Sequence, residues 1–148
     1  MPSSTKTTLL SLLAALTATR TTVLAASLPL GIRDDSASGV THSGDITWYN
    51  TNNGVGACGF QLSDSEPICA LSTALYDEFT KNGNPNDNDL CNKQVTITMT
   101  DGSKQTVKVA DRCEACAKWD IDLTPTTFKQ LVKAGTGVGR TPASWVFA

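Results

Sequence analysis

Residues 109–124, from Val109 to Thr124, read VADRCEACAKWDIDLT. This segment holds two cysteines, three aspartates and a tryptophan. Four chemistries suit that content: a redox site, a metal knuckle, a pair of catalytic carboxylates, or a stapled loop beside a sugar groove. The redox reading is weak, because no βαβ pattern surrounds Cys113 and Cys116, and Ala117 stands where haem attachment needs a histidine. Zinc is weaker still: there is one CxxC, no partner knuckle, and the single histidine is His42, far away in the chain. The plain expectation is a local disulfide staple, with no metal and no cofactor.

The carboxylates carry a sharper possibility. Asp111 ends one expected strand, and Asp122 follows the stapled loop and precedes a helix. A Cys113–Cys116 link folds the loop back and can bring both carboxylates towards one groove. An inverting glycosidase needs its acid and base about 6.5–9.5 Å apart, on opposite faces of the sugar. The structural alternative is that Asp111 bonds loop amides and Asp122 caps a turn. Aromatic faces stack on sugar rings, so Trp48, Tyr49 and Trp119 are candidate platforms. Trp48 and Tyr49 are strand neighbours and point to opposite faces. Trp145 lies in the closing strand and reads as core.

Working outward, the chain opens MPSSTKTTLLSLLAALTATRTTVLAAS. Lys6 precedes a short apolar run from Leu9 to Leu16, and small residues follow. That pattern is a secretory signal peptide over residues 1–26, since the run is too short to span a bilayer. Residues 27–43 lack periodicity and read as a linker or pro-segment. Residues 44–148 form one domain, modest in size and helped by disulfides. The formal net charge is -2 and no basic run exists, so nucleic acid is excluded as a partner. No membrane association is expected once the leader is cleaved.

Within the domain, GDITWYN reads as a first strand, PICALS as a buried strand, and TALYDEFT as a helix capped by Thr73. KNGNPNDND reads as a polar loop. QVTITMT and QTVKVAD alternate around Asp101–Gly102, a hairpin signal. LTPTTFKQLVKAG reads as a helix capped by Thr124 and ended at Gly135. Short strands with two short helices indicate a small, mostly β barrel.

The cysteines are Cys58, Cys69, Cys91, Cys113 and Cys116. Five choices of the odd residue, with three pairings of the rest, leave fifteen arrangements. A Cys58–Cys91 bridge closes a long loop and restricts the unfolded chain most; Cys113–Cys116 closes a tiny one. Cys69 sits in an apolar run where a small hydrophobe serves, and it is expected to be the free thiol.

The ordered set GDITWYN, GACG, ALS, CNKQVTIT, VADRCEAC, IDLTPTTFKQL, SWVF resembles the rare-lipoprotein-A-like double-psi β-barrel family. It is most similar to small secreted fungal members, related to expansins and barwin-like proteins. The resemblance covers residues 44–147 and implies a mainly β fold: a six-stranded double-psi β-barrel with two short helices. Thr47 and Tyr49 match the family's first-strand threonine and aromatic residue, and Asp111 and Asp122 its two aspartates. In the related endoglucanases the second aspartate is the general acid, and the general base follows the first-strand aromatics. Here that region reads Asn50–Thr51, without a carboxylate. Asn92 also stands where the family commonly has glycine, and asparagine tolerates a positive φ.

The resemblance implies an extracellular, cell-wall-associated monomer that binds polysaccharide (chitin, cellulose or β-glucan) without hydrolysing it, as expansins do. Thr47, Trp48, Tyr49, Asp111, Trp119 and Asp122 would touch the sugar. A second reading is an inhibitor of papain-like cysteine proteases or a secreted effector, presenting the Gly54 to Gly59 loop. A third is a weak lytic enzyme using Asp122 as its acid.

Overall fold

Alternation of apolar and polar residues in QVTITM, KQTVKVADRC and TPASWVF, and the continuous apolar run ICALS, mark barrel strands; six strands form the barrel. They are seen in a computed structural model that describes residues 34–148. The strands are β1 (Thr41–Trp48), β2 (Ile68–Ser72), β5 (Gln94–Met99), β6 (Lys104–Cys113), β7 (Ile121–Leu123) and β8 (Thr141–Phe147). They close in the order β1-β7-β2-β6-β5-β8. β1 runs parallel to β7 and β2 parallel to β6, while the other pairs are antiparallel. The fold is the expected mainly β, six-stranded barrel with two short helices. All five residues of β2 are buried, as ICALS foretells for a strand flanked by two others.

The interior is filled by Ile46, Leu71, Val95, Ile97, Val107, Val109, Ile121, Leu123, Trp145 and Phe147. Helix α1 (Thr73–Tyr76) buries Leu75 and Tyr76, and α2 (Pro125–Leu131) buries Phe128 and Leu131. Both caps differ from expectation. Ser72, not Thr73, caps α1, its Oγ accepting from Leu75 N at 3.2 Å. Thr124 stands at the N-cap of α2, but its hydroxyl donates to the Glu66 carbonyl at 2.7 Å instead of capping. α2 also ends at Leu131, short of Gly135. KNGNPNDND is not only loop: β3 (Thr80–Lys81) and β4 (Asn84–Asn88) form a hairpin around Asn82 and Gly83, both at positive φ.

The expected leader, residues 1–26, and residues 27–33 lie outside the described residues. The rest of the expected linker is more ordered than its composition suggests. β1 begins at Thr41, three positions before Gly44, and Ser38 bridges Phe147. His42 is buried, its ring 4.3 Å from that of Trp119 and 4.4 Å from that of Trp145. Burial lowers the His42 pKa, and its Nε2 lies 3.1 Å from the Asp35 carbonyl oxygen. The linker reading failed here because a single histidine between polar neighbours carries no periodicity; only the two tryptophans, distant in sequence, make it core.

Cys58 is bonded to Cys91 across a separation of 33 residues, and Cys113 to Cys116 across 3. Cys69 is free and buried, as expected. Replacing both Cys58 and Cys91 by serine should cost about 3–4 kcal/mol, the loop-closure entropy returned to the unfolded chain. Urea unfolding of the double variant measures this; a loss under about 1 kcal/mol contradicts it.

Candidate functional site

Strand register assembles the site. Asp111 on β6 is paired with Ala70 on β2, Ala70 with Asp122 on β7, and Asp122 with Thr47 on β1. Four residues from four strands therefore lie in one row. A register shift between Cys69 and Ala70 puts Asp111 in that row. Two strand spacings separate the aspartates, about 10 Å between their backbones.

The two carboxylates are held differently. The Asp111 Oδ1 accepts from the amides of Ala57 and Arg112, both at 2.9 Å. The loop-amide role raised by the sequence is thus realised. The Asp122 Oδ1 accepts from the Thr47 hydroxyl at 2.7 Å. Burial raises the Asp122 pKa; the Thr47 hydrogen bond and Arg140 oppose this, Asp111 adds to it, and the net direction is upward. Tyr49 follows the end of β1, its amide still donating to the Leu123 carbonyl at 3.0 Å. Its hydroxyl is buried close to Asp111 without completing a hydrogen bond. Burial first, then Asp111, pushes the phenol pKa up. Beneath the row, burial and the same two aspartates push the Cys69 thiol up, so it stays protonated and inert.

The tryptophans are engaged elsewhere. The Trp48 indole is half-buried against the core, and its Nε1 donates to the Thr136 carbonyl at 2.9 Å. Trp119 is stacked on His42 at 4.3 Å, with the Lys118 ammonium 4.8 Å from its ring centre. Structure therefore gathers Thr47, Tyr49, Asp111 and Asp122 and places Trp119 in a separate aromatic cluster. Neither Asn50 nor Thr51 brings a carboxylate, and Thr51 donates from its amide and its hydroxyl to Asp64 Oδ1, each at 2.7 Å.

Asp111 also links the row to a loop and a cleft. The cleft holds about 570 Å³ and lies between Ala57 and the β3–β4 hairpin, with Asp111, Arg112 and Asp77 on its walls. Arg112 grips Asp77 through two 2.8 Å hydrogen bonds. The loop from Thr51 to Leu62 is pinned at several points. Asp64 holds Thr51, Gly54 N donates to the Thr51 carbonyl, and Leu62 N donates to the Gly54 carbonyl. Asp111 holds Ala57, Cys58 N donates to the Ala110 carbonyl, and the Cys58–Cys91 bond fixes the far side. Gly56 is required, since a Cβ there would sit 2.5 Å from the Ala110 oxygen. Beside the Gly56–Gly59 turn stands Val55, 68% exposed and bridged to Gln61. Sequence reading missed Asp64 because nothing local ties it to Thr51, thirteen positions away.

Asp120, passed over in the sequence, is the most heavily used carboxylate. It is buried, accepts from the amides of Asp45 at 2.9 Å and Ala117 at 3.2 Å, and meets Arg140 at 2.7 Å. Burial alone would raise its pKa, but these partners together outweigh burial and lower it.

No protein-family model matches the chain. Among curated proteins, it is 34% identical over 98 residues to the "Allergen Asp f 7 homolog" of Arthroderma benhamiae, covering 66% of this chain and 31% of that protein. It thus spans about a third of that relative's length. It is 30% identical over 105 residues to the "Papain inhibitor" of Streptomyces mobaraensis, covering 70% of each. Among solved structures, a Streptomyces papain inhibitor superposes with a TM-score of 0.66 at 28% identity, over 77% of this chain and 99% of that one. An expansin of Clavibacter michiganensis, solved with cellohexaose, gives 0.58 at 23% identity, over 74% of this chain and 50% of that one.

Asp120 and Asp122 should shape the pH dependence of stability with opposite signs. The folded pKa of Asp122 lies above its unfolded value near 4. Its contribution is therefore full below about pH 4 and lost as pH rises through the folded pKa. The folded pKa of Asp120 is depressed, so its contribution is full above about pH 4 and lost as pH falls through the folded pKa. Relative to the parent protein, Asp122→Asn should gain stability as pH rises above about 4. The deficit of Asp120→Asn should shrink below about that pH. Urea unfolding across pH reads both trends, and trends of the same sign in the two variants would contradict the assignment.

Proposed function

The chain belongs to the rare-lipoprotein-A-like double-psi β-barrel family, and from that premise we propose that it is an extracellular inhibitor of papain-like cysteine proteases. The observation that carries this reading is the pinned loop from Thr51 to Leu62, which lifts Val55 into solvent from a fixed base. An inhibitor gains affinity when its binding loop loses little freedom on docking. A disulfide, the Asp64 and Asp111 clamps and the close approach at Gly56 remove that freedom in advance. An exposed aliphatic side chain on such a loop can fill an apolar protease subsite. Similarity to a papain inhibitor over 70% of both chains supports the same partner class.

Polysaccharide binding is the second reading, favoured by the cleft beside Asp111 and by the Thr47–Asp122 hydrogen bond in the same strand row as Asp111. It ranks lower because Trp48 and Trp119, the expected stacking faces, are occupied within the protein. The expansin likeness, at 23% identity, speaks for the fold alone.

Titration of active papain with the protein should show stoichiometric loss of activity. Val55→Asp should weaken inhibition about tenfold or more without changing the unfolding midpoint, since the side chain touches solvent. Full papain activity at saturating protein, together with retention on insoluble chitin, cellulose or β-glucan at low salt, would reverse the order of the two readings.

A further inference from the structure

We propose that Cys113–Cys116 is a redox-active disulfide that exchanges with low-molecular-weight thiols, with Asp122 as the proton donor to the leaving sulfur. Sequence alone leaves this CxxC as a staple, since no thioredoxin-like pattern flanks it. Tertiary structure adds a carboxylic acid that the motif lacks in sequence. An Asp122 oxygen and the two sulfurs all lie within 4.8 Å of one another. Asp122 reaches them because β7 returns alongside β2, whose Ser72 is paired with Cys113. A half-buried carboxyl with a raised pKa keeps its proton longer than an exposed one, as a donor must.

The bond is also dispensable to the loop it closes. Without it, Ala117 N still donates to Asp120 Oδ2, and Asp120 N to the Ala117 carbonyl at 2.9 Å. Ser72 Oγ still donates to the Lys118 carbonyl at 2.7 Å, and Trp145 Nε1 to the Trp119 carbonyl at 2.8 Å. Opening the disulfide therefore leaves both thiols in place, ready to close again. By contrast, the Cys58–Cys91 bridge spans 33 residues and ties a long loop to the barrel, so its opening is costly to the fold.

Cys113 is 9% exposed and Cys116 more so, which sets the direction of attack. An external thiolate bonds to Cys116 Sγ, and the Sγ–Sγ bond breaks. Cys113 leaves with the electron pair and takes the proton from Asp122, which regains one from solvent. A second external thiolate then attacks the mixed disulfide at the external sulfur, freeing Cys116 as a thiolate that is protonated from solvent. Two external thiols are oxidised to one disulfide, and the protein gains two thiols. The reverse sequence lets the dithiol form reduce an external disulfide.

Dithiothreitol added to the native full chain, with timed alkylation and peptide mapping, tests this. Cys113 and Cys116 should be labelled at least about tenfold faster than Cys58 and Cys91, with Cys69 unlabelled and the far-UV circular dichroism unchanged. The reduced protein should then reduce oxidised glutathione. Asp122→Asn should slow the opening about tenfold or more. The pair Cys113→Ser with Cys116→Ser should stay folded and lose all exchange. Equal labelling of both disulfides, labelling only in denaturant, an unchanged rate in Asp122→Asn, or exchange surviving in the serine pair would each overturn the proposal.

Discussion

The buried carboxylate of Asp120 is the contact on which the barrel's closure depends. β7 has only three residues, yet it joins β1 to β2 and completes the ring. Three residues supply few ladder hydrogen bonds, so the strand needs its approach fixed from outside. Asp120, one position before it, accepts from the amides of Asp45 and Ala117 and meets Arg140, tying β1, the stapled loop and the start of β8 to one point. A buried carboxylate is costly unless fully partnered, and this one has all its partners. From that anchor the register follows, and Asp122 falls opposite Thr47.

The row Asp111–Ala70–Asp122–Thr47 is a product of that closure, and its members serve unlike purposes. Asp111 is spent on backbone amides and steadies the neighbouring loop. Asp122 keeps one short partner and faces the small disulfide. A carboxylate satisfied by amides is poorly suited to moving protons. One raised by burial beside polarisable sulfur is better suited. The asymmetry explains why two aspartates that look equivalent in VADRCEACAKWDIDLT need not act as a catalytic pair.

Rigidity is concentrated near the same row. The loop from Thr51 to Leu62 reaches into solvent, but its amides are answered by Asp64, Asp111 and the Ala110 carbonyl. Such a loop can meet a partner without first being ordered. Within it only Val55 is apolar and strongly exposed, so the loop displays a single anchor on a polar base.

The sequence by itself determined most of the barrel strands, because period-two alternation in QVTITMT and QTVKVAD, and the uninterrupted apolar run PICALS, are local properties of a pleated chain; the three-residue β7 and the β3–β4 hairpin were not legible in it. It also favoured Cys69 as the buried thiol, since flanking hydrophobicity is written in the order of residues, but it left fifteen cysteine arrangements open, and the pairing was decided by the fold. Thr47, Tyr49, Asp111 and Asp122 were legible as a group through family resemblance. What only the tertiary structure decided depends on contacts between distant positions. His42 looked like linker and became core through Trp119 and Trp145. Trp48 and Trp119 looked like open platforms and were claimed by Thr136 and His42. Asp64 and Asp120 drew no reading from the sequence and became clamps. In each case a polar or aromatic side chain has no fixed role until its partners are known. Partners brought together by barrel closure, often many tens of residues apart, leave no periodic trace in the chain.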